Sequence, residues 1–169
     1  MRTRSCRDGH PLSALDTGEI ATVIVCELPT GRELVAAFRG GFGHLPGDHL
    51  IGRWGQALAQ LHRTRHINPD KATRVDQRRA EMVEMVDTWV ANYTNLAGAG
   101  YGAAADLMAA TYVGFEALFH SSTPVDFEDL HRAWTAVADH VVAWDDLRTG
   151  HAPVPWPLDL SPQSLTNER

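Results

Sequence analysis

Nine histidines and 21 acidic residues give this chain several spacings that could support chemistry. His62 and His66 are four residues apart and share a helix face, a metal-ligand spacing when a Glu and a third ligand converge. The stretch reads LHRTRH rather than HExxH, so the general base of a metalloprotease is missing. His66 also falls in the last turn of its predicted helix, where a cation suits the helix dipole, and that structural role is the expectation. Glu128 to His131 reads EDLH and matches the ExxH unit of di-iron bundles. Such a site needs a second ExxH and two more glutamates on facing helices, and the sequence holds no second ExxH. Glu128 and Asp129 fit a first helical turn, where acids are expected.

Glu81 to Glu84, EMVE, resembles half of the carboxylate set of all-helical nucleotide pyrophosphatases. The partner pair is missing: the third long helix offers only Asp106 and Glu116, ten apart, and the fourth offers Asp139, Asp145 and Asp146 in no such pattern. Glu81 and Glu84 therefore read as a solvated face. No GxSxG occurs, and Cys6 and Cys26 lie outside the helical region, which argues against a Cys–His nucleophile. The loop GGFGHLPG is Gly-rich but lacks the GK[ST] of a phosphate loop. The sequence thus identifies no catalytic residue, and neither a metal nor a cofactor is expected.

The most ordered stretch is VDQRRAEMVEMVDTWV, Val75 to Val90. Arg79 falls between Val75 and Met82 in the apolar stripe, so its charge must be paired or reach water. Asp76, three residues away on the same helix, can pair with it locally. Asp87 lies eleven residues beyond Asp76, close to three turns, so the two share a face roughly 16 Å apart along the axis. At that distance Asp87 must meet a neighbouring helix, where His62, Arg53 or Arg132 are candidate partners. His62, Asp76, Arg79 and Asp87 form the candidate set, read either as a polar inlay that fixes helix register or as a ligand site, with the inlay preferred.

Four long amphipathic helices must position these residues. The first spans about Asp48 to Arg65, with Leu50, Ile51, Trp54, Ala57, Leu58 and Leu61 at three- and four-residue steps. Asn68-Pro69 breaks it, and the second runs from about Asp70 to Asn95 with Ala72, Val75, Met82, Val86, Trp89 and Tyr93 as its stripe. AGAGYG ends that helix. The third covers about Ala103 to His120, with Leu107, Met108, Thr111, Phe115 and Leu118 inward, and SSTPVD ends it. Asp126 caps the fourth, whose inward residues are Phe127, Leu130, Trp134, Val137, Val141 and Trp144, and which stops before Gly150. Upstream, Thr30 and Glu33 form a capping box for a short helix closed by Gly40, Gly41 and Gly43. Short connections favour antiparallel neighbours. The expected fold is all-α: an antiparallel four-helix bundle with a short N-terminal helix, an irregular N-terminus and a Pro-rich C-terminal tail. Residues 1–27 form an N-terminal extension, 28–150 the bundle domain and 151–169 an extended tail, where four prolines forbid helix and Trp156 is placed to pin the tail.

Composition bounds the class. The chain has 169 residues, enough for one domain with its own core. A formal charge of −6 and unsegregated basic residues argue against nucleic-acid binding. No stretch approaches the roughly 18 apolar residues of a membrane span. Arg2, Arg4 and Arg7 precede the run EIATVIVCEL, itself a candidate strand, but acids intervene and no A-x-A-like site follows, so a signal peptide is not favoured. Nor do Val23 to Val25 before Cys26 supply the small residues of a lipoprotein cleavage site. A natural start later than Met1, at Val23 or Val25, would make the residues before it non-native. Two cysteines twenty apart read as lone thiols in a reducing cytoplasm, a disulfide being the alternative. One lysine among 15 basic residues points to a GC-rich, bacterial genome.

LAQLHRTRH followed by VDQRRAEMVEMVDTWV resembles the bacterial family called domain of unknown function 4254. The family pattern joins a leucine–histidine helix to an (I/V)D-x-x-(R/N)-x-x-(L/M)(V/I)-x-x-(I/V)D-x-(W/Y) helix. Leu61, His62, Val75, Asp76, Met82, Val83, Val86, Asp87 and Trp89 match it. HRAWTAVADHVVAWDDLRTGHAPVP is similar to the closing helix of actinobacterial members, so the resemblance covers roughly Leu28 to Pro155. Many relatives carry a Trp-His-x-Glu-Asp segment where this chain has RHINPD. The resemblance implies a helical fold and no known activity.

Two functions follow as expectations. The first is a small cytoplasmic interaction or scaffolding bundle that self-associates or binds a protein partner, with five Trp and the long second helix as anchors. The second is an enzyme or small-ligand binder with a polar pocket at His62, Asp76, Arg79 and Asp87. The first is slightly preferred, and whether the chain is an enzyme is left open.

Overall fold

A computed structural model describes residues 26–41, 47–96 and 100–151 of the chain. The expectations on residues 1–25, most of the Gly-rich loop and the tail with Trp156 lie outside the described residues. Five helices follow one another: α1 (Gly31–Phe38), α2 (Leu50–Ile67), α3 (Ala72–Tyr93), α4 (Tyr101–Phe119) and α5 (Phe127–Thr149), with a 3-10 turn, Pro69–Lys71, between α2 and α3. The fold is all-α, and no strand occurs among the described residues.

Local chemistry sets the helix ends. Thr30 Oγ1 accepts from the Glu33 N–H, and the Glu33 carboxylate accepts from the Thr30 N–H at 2.7 Å, which starts α1 with a reciprocal box. Asp126 caps α5 through the Glu128 N–H. At the start of α2 an imidazole does this work: His49 Nδ1 accepts from the Ile51 N–H at 3.1 Å.

α4 is the central element. It packs against α1, α2, α3 and α5, whereas α5 touches neither α2 nor α3. The short α1 fills the space between α2 and α5. The four long helices thus form a bundle around α4, with α1 as an integral wall rather than an appendage. Directions follow from side-chain pairs. Arg79 meets Asp106 while Asp87 meets Gly102, so α3 and α4 are antiparallel. Tyr101 meets Trp144 while Phe115 meets Trp134, so α4 and α5 are antiparallel too.

The core joins Leu34 and Phe38 of α1, Ile51 and Leu58 of α2, Val86 and Val90 of α3, Met108 of α4, and Val137 and Trp144 of α5. Small residues let the helices approach α4 closely. A Cβ on Gly102 would stand 2.1 Å from the Val83 carbonyl oxygen, so α3 and α4 cross at that point only because the residue is glycine. The segment before α1 is stitched down at both sides. The Cys26 N–H donates to the Tyr93 carbonyl at 3.0 Å, and the buried Trp144 indole N–H donates to the Pro29 carbonyl at 2.8 Å.

Cys26 is disulfide-bonded, which corrects the expectation of lone thiols; its partner half lies outside the described residues. No helix is long and apolar enough to cross a membrane among the described residues.

Candidate functional site

Three helices converge on one carboxylate. Asp106 of α4 takes His62 Nε2 of α2 at 2.8 Å on Oδ1 and Arg79 Nε of α3 at 3.0 Å on the same oxygen. Arg79 Nη2 donates to its other oxygen, completing a fork. Arg79 Nη1 donates to Asp76 Oδ1 at 2.8 Å, and Arg65 Nε of α2 reaches that oxygen at 2.9 Å. The chain His62–Asp106–Arg79–Asp76–Arg65 thus runs outward: side-chain exposure is 15% for Asp106, 23% for Arg79, 42% for Asp76 and 50% for Arg65. Its inner members sit in a lower dielectric and its outer ones are screened by water.

The electrostatics follow that gradient. Burial pushes the Asp106 carboxyl up, but hydrogen bonds from His62 and Arg79 outweigh it and hold the group below the usual carboxylate range. At Asp76 the hydrogen bond from Arg65 leads, joined by Arg79, and lowers the carboxyl likewise. Arg79 is held more firmly charged than a free guanidinium, chiefly by its hydrogen bond to Asp106.

His62, Asp76 and Arg79 therefore come together, and Asp87 stands apart from them. Asp87 Oδ1 accepts from the Gly102 N–H at 2.9 Å and the Gly100 N–H at 3.2 Å. It meets none of the three side chains proposed for it: His62 is on Asp106, Arg132 is on Asp129, and the donors are backbone groups. The physical reason lies in the start of α4. Its cap residue is Gly100, with φ of 112° and no side chain to satisfy the first N–H groups. Asp87 supplies the missing carboxylate from α3, which also lets the helix begin at Tyr101, inside a glycine run that reads as a break.

Asp106 is the residue that the sequence reading passed over. Asp106 and Glu116 are the only charged residues of α4. Each collects an arginine: Arg63 of α2 forks onto Glu116 at 2.6 and 3.1 Å, and its Nη2 also donates to the Phe38 carbonyl at 2.7 Å. A lone acid in an otherwise uncharged, apolar helix was the available signal.

A small cavity of about 180 Å³ lies beside the inlay, lined by His62, Arg65, His66, Ala110, Val113 and Gly114. His62 and His66 share that wall, yet among the described residues no group of three His, Cys, Asp or Glu could hold a metal ion. The wall carries no hydroxyl or thiol side chain beside the His62–Asp106 pair. Glu128 and His131 are exposed on α5, as are Glu81 and Glu84 on α3.

The apolar face of α5 differs from its expected form. Leu130, Val137 and Trp144 make one seven-residue row, and Phe127, Trp134 and Val141 make a second beside it. The first row faces α4 and α1; its Val137 and Trp144 are buried. In the second, Val141 packs against α1 at Gly31, and Phe127 and Trp134 are left at the edge, 78% and 50% exposed. Leu118, expected inward, is exposed, and Phe119 beside it is 61% exposed. Phe115 bridges Phe119 and Trp134 at ring-centroid distances of 5.9 and 5.2 Å, and His131 stacks on Phe127 at 6.2 Å. The α4–α5 end of the fold thus carries two exposed aromatic clusters, Phe115 with Phe119 and Trp134, and Phe127 with His131. Of the expected Trp anchors among the described residues, Trp144 and Trp89 are buried, Trp54 is half-buried and Trp134 is 50% exposed.

No family model, curated protein or solved structure matches this chain.

Proposed function

We propose that this chain is a small helical interaction module that pairs with a second copy of itself through the aromatic patch of α4 and α5. The observation that carries this reading is the exposure of Phe119, Phe127 and Trp134 near the α4–α5 turn. Aromatic anchors of this kind dominate interface energetics, and contiguous exposed apolar surface marks association sites. An isologous pairing uses the same patch twice and closes on itself. Light scattering tests the reading: the expected mass is twice the 18.6 kDa of one chain, falling on dilution.

The alternative was an enzyme or ligand binder around His62, Asp76, Arg79 and Asp87. Arg79 already gives Nε, Nη1 and Nη2 to carboxylates, which leaves little of its charge for an anionic ligand. The inlay is better read as the device that sets the register of α2, α3 and α4. Membership of the domain of unknown function 4254 family, and with it a bacterial, actinobacterial source, is proposed on the sequence pattern alone. The disulfide at Cys26 favours an oxidising compartment over the reducing cytoplasm. Intact mass of alkylated protein with and without prior reduction distinguishes the two.

A further inference from the structure

We propose that the groove between α2 and α3 binds a small organic cation, an ammonium group carried on an apolar body. The groove is open to solvent and offers about 550 Å³. Three aromatic side chains line it: Trp54 from α2, and Trp89 and Tyr93 from α3. Trp89 and Tyr93 stack at 5.5 Å with 30° between their planes, and His49 holds Trp89 edge-on from behind at 5.1 Å. The rings are thus fixed before any ligand arrives, which lowers the ordering cost of binding.

Charge selects the ligand. Glu81, Glu84, Thr88 and Asn92 recur at three- and four-residue steps and line one edge of the groove. Arg78, the only cation in the lining, is spent on Glu81 at 2.6 Å. Glu84 forms no ion pair among the described residues. A cation lying over the half-buried Trp54 and Tyr93 rings meets their negative quadrupoles and the Glu84 carboxylate together. An anion of the same shape would meet both with the wrong sign. The chain's net charge of −6 adds a field of the same preference. This site shares no residue with the aromatic patch of α4 and α5, so either proposal can fail without the other.

The experiment is a titration followed by NMR of the indole N–H signals, assigned with Trp54→Phe and Trp89→Phe. Benzyltrimethylammonium is the probe, with benzyl alcohol and benzoate as the neutral and anionic matches. The expected result is saturable movement of the Trp54 and Trp89 signals by the cation, with weak or no response to the other two. Glu84→Gln, an exposed and conservative change, should leave helicity intact and weaken cation binding by about threefold. Motionless Trp54 and Trp89 signals through millimolar cation would overturn the proposal. So would equal binding of benzyl alcohol, or binding of the cation that is indifferent to Glu84→Gln.

Discussion

Asp87 caps a helix to which it does not belong: its Oδ1 lies 2.9 Å from the Gly102 N–H of α4 and 3.2 Å from that of Gly100. One carboxylate thus satisfies two donors of a helix start that has no side chain of its own. Asp87→Ala is expected to destabilise the fold by about 1–2 kcal/mol, the range for loss of a cap. Asp87→Asn keeps an acceptor and should recover most of that, short of the charge–dipole part of about 0.3–1 kcal/mol. Urea midpoints of the three chains decide it; equal midpoints for Asp and Ala would contradict the capping role.

The same crossing gives a glycine contrast within α4. Gly102→Ala would drive a Cβ to 2.1 Å from the Val83 carbonyl, so α3 must move away, with an expected loss of about 1–3 kcal/mol. Gly114→Ala has open space around it and should stabilise the helix by up to about 1 kcal/mol. Thermal melts of both variants suffice, and the prediction fails if the two shift in the same direction.

At the inlay, Arg79→Met removes the forked partner of Asp106 and leaves that carboxylate with His62. The fold is expected to survive with a loss of about 1–3 kcal/mol at neutral pH, because a poorly solvated carboxylate loses charged donors. Asp106 is held below the ordinary carboxylate range when folded, so its share of stability is full above about pH 4 and lost as pH falls through the folded value. In Arg79→Met the burial that opposes ionisation is less well offset, so the Asp106 titration should move to higher pH. Carboxyl carbon NMR reads this directly. An Asp106 titration unmoved by Arg79→Met would refute the coupling.

These particulars also mark what could be read from the chain. Thr30 with Glu33, the Asn68-Pro69 break and Asp126 are local signals, acting within one turn, and they set the same helix ends in the structure. The contact of Asp76 with Arg79 is equally local, three residues along one helix. Asp106 was passed over because its partners come from two other helices, and sequence spacing cannot say which helices will neighbour α4. Asp87 pointed to a neighbouring helix, but the donor proved to be backbone, which carries no residue-type signature. For Phe127 and Trp134, periodicity identified residues that share a face of α5 without saying how much of that face α4 would cover.

Two histidines, the α2 cap His49 and the enclosed His140 of α5, make the fold sensitive to mild acid. His49 Nδ1 can accept from the Ile51 N–H only while it carries no proton. Burial lowers the His49 pKa, against the opposing pull of the Glu27 carbonyl and Glu33. Burial likewise lowers that of His140, which is fully enclosed, against Asp139. Both are neutral in the fold and bind protons on unfolding, so their contribution is present above about pH 6.5 and is lost as pH falls toward their folded values. The melting temperature should therefore drop between about pH 7.5 and pH 5.5. His49→Asn keeps an N-cap acceptor and should flatten that slope in part. A slope identical in the variant, or a rise on acidification, would contradict the assignment.

Self-association through the α4–α5 patch is tested most directly by sedimentation equilibrium of three chains at matched concentrations. Wild type should fit a reversible dimer of the 18.6 kDa chain. Phe127→Ser with Trp134→Ser removes the two anchors from side chains that are 78% and 50% exposed, so helicity should persist while the mass falls to one chain. Met85→Ser, at an exposed apolar residue of α3, a helix that does not contact α5, should leave the dimer intact. A wild-type chain that stays monomeric at every concentration, or a double variant that still dimerises, would contradict the account.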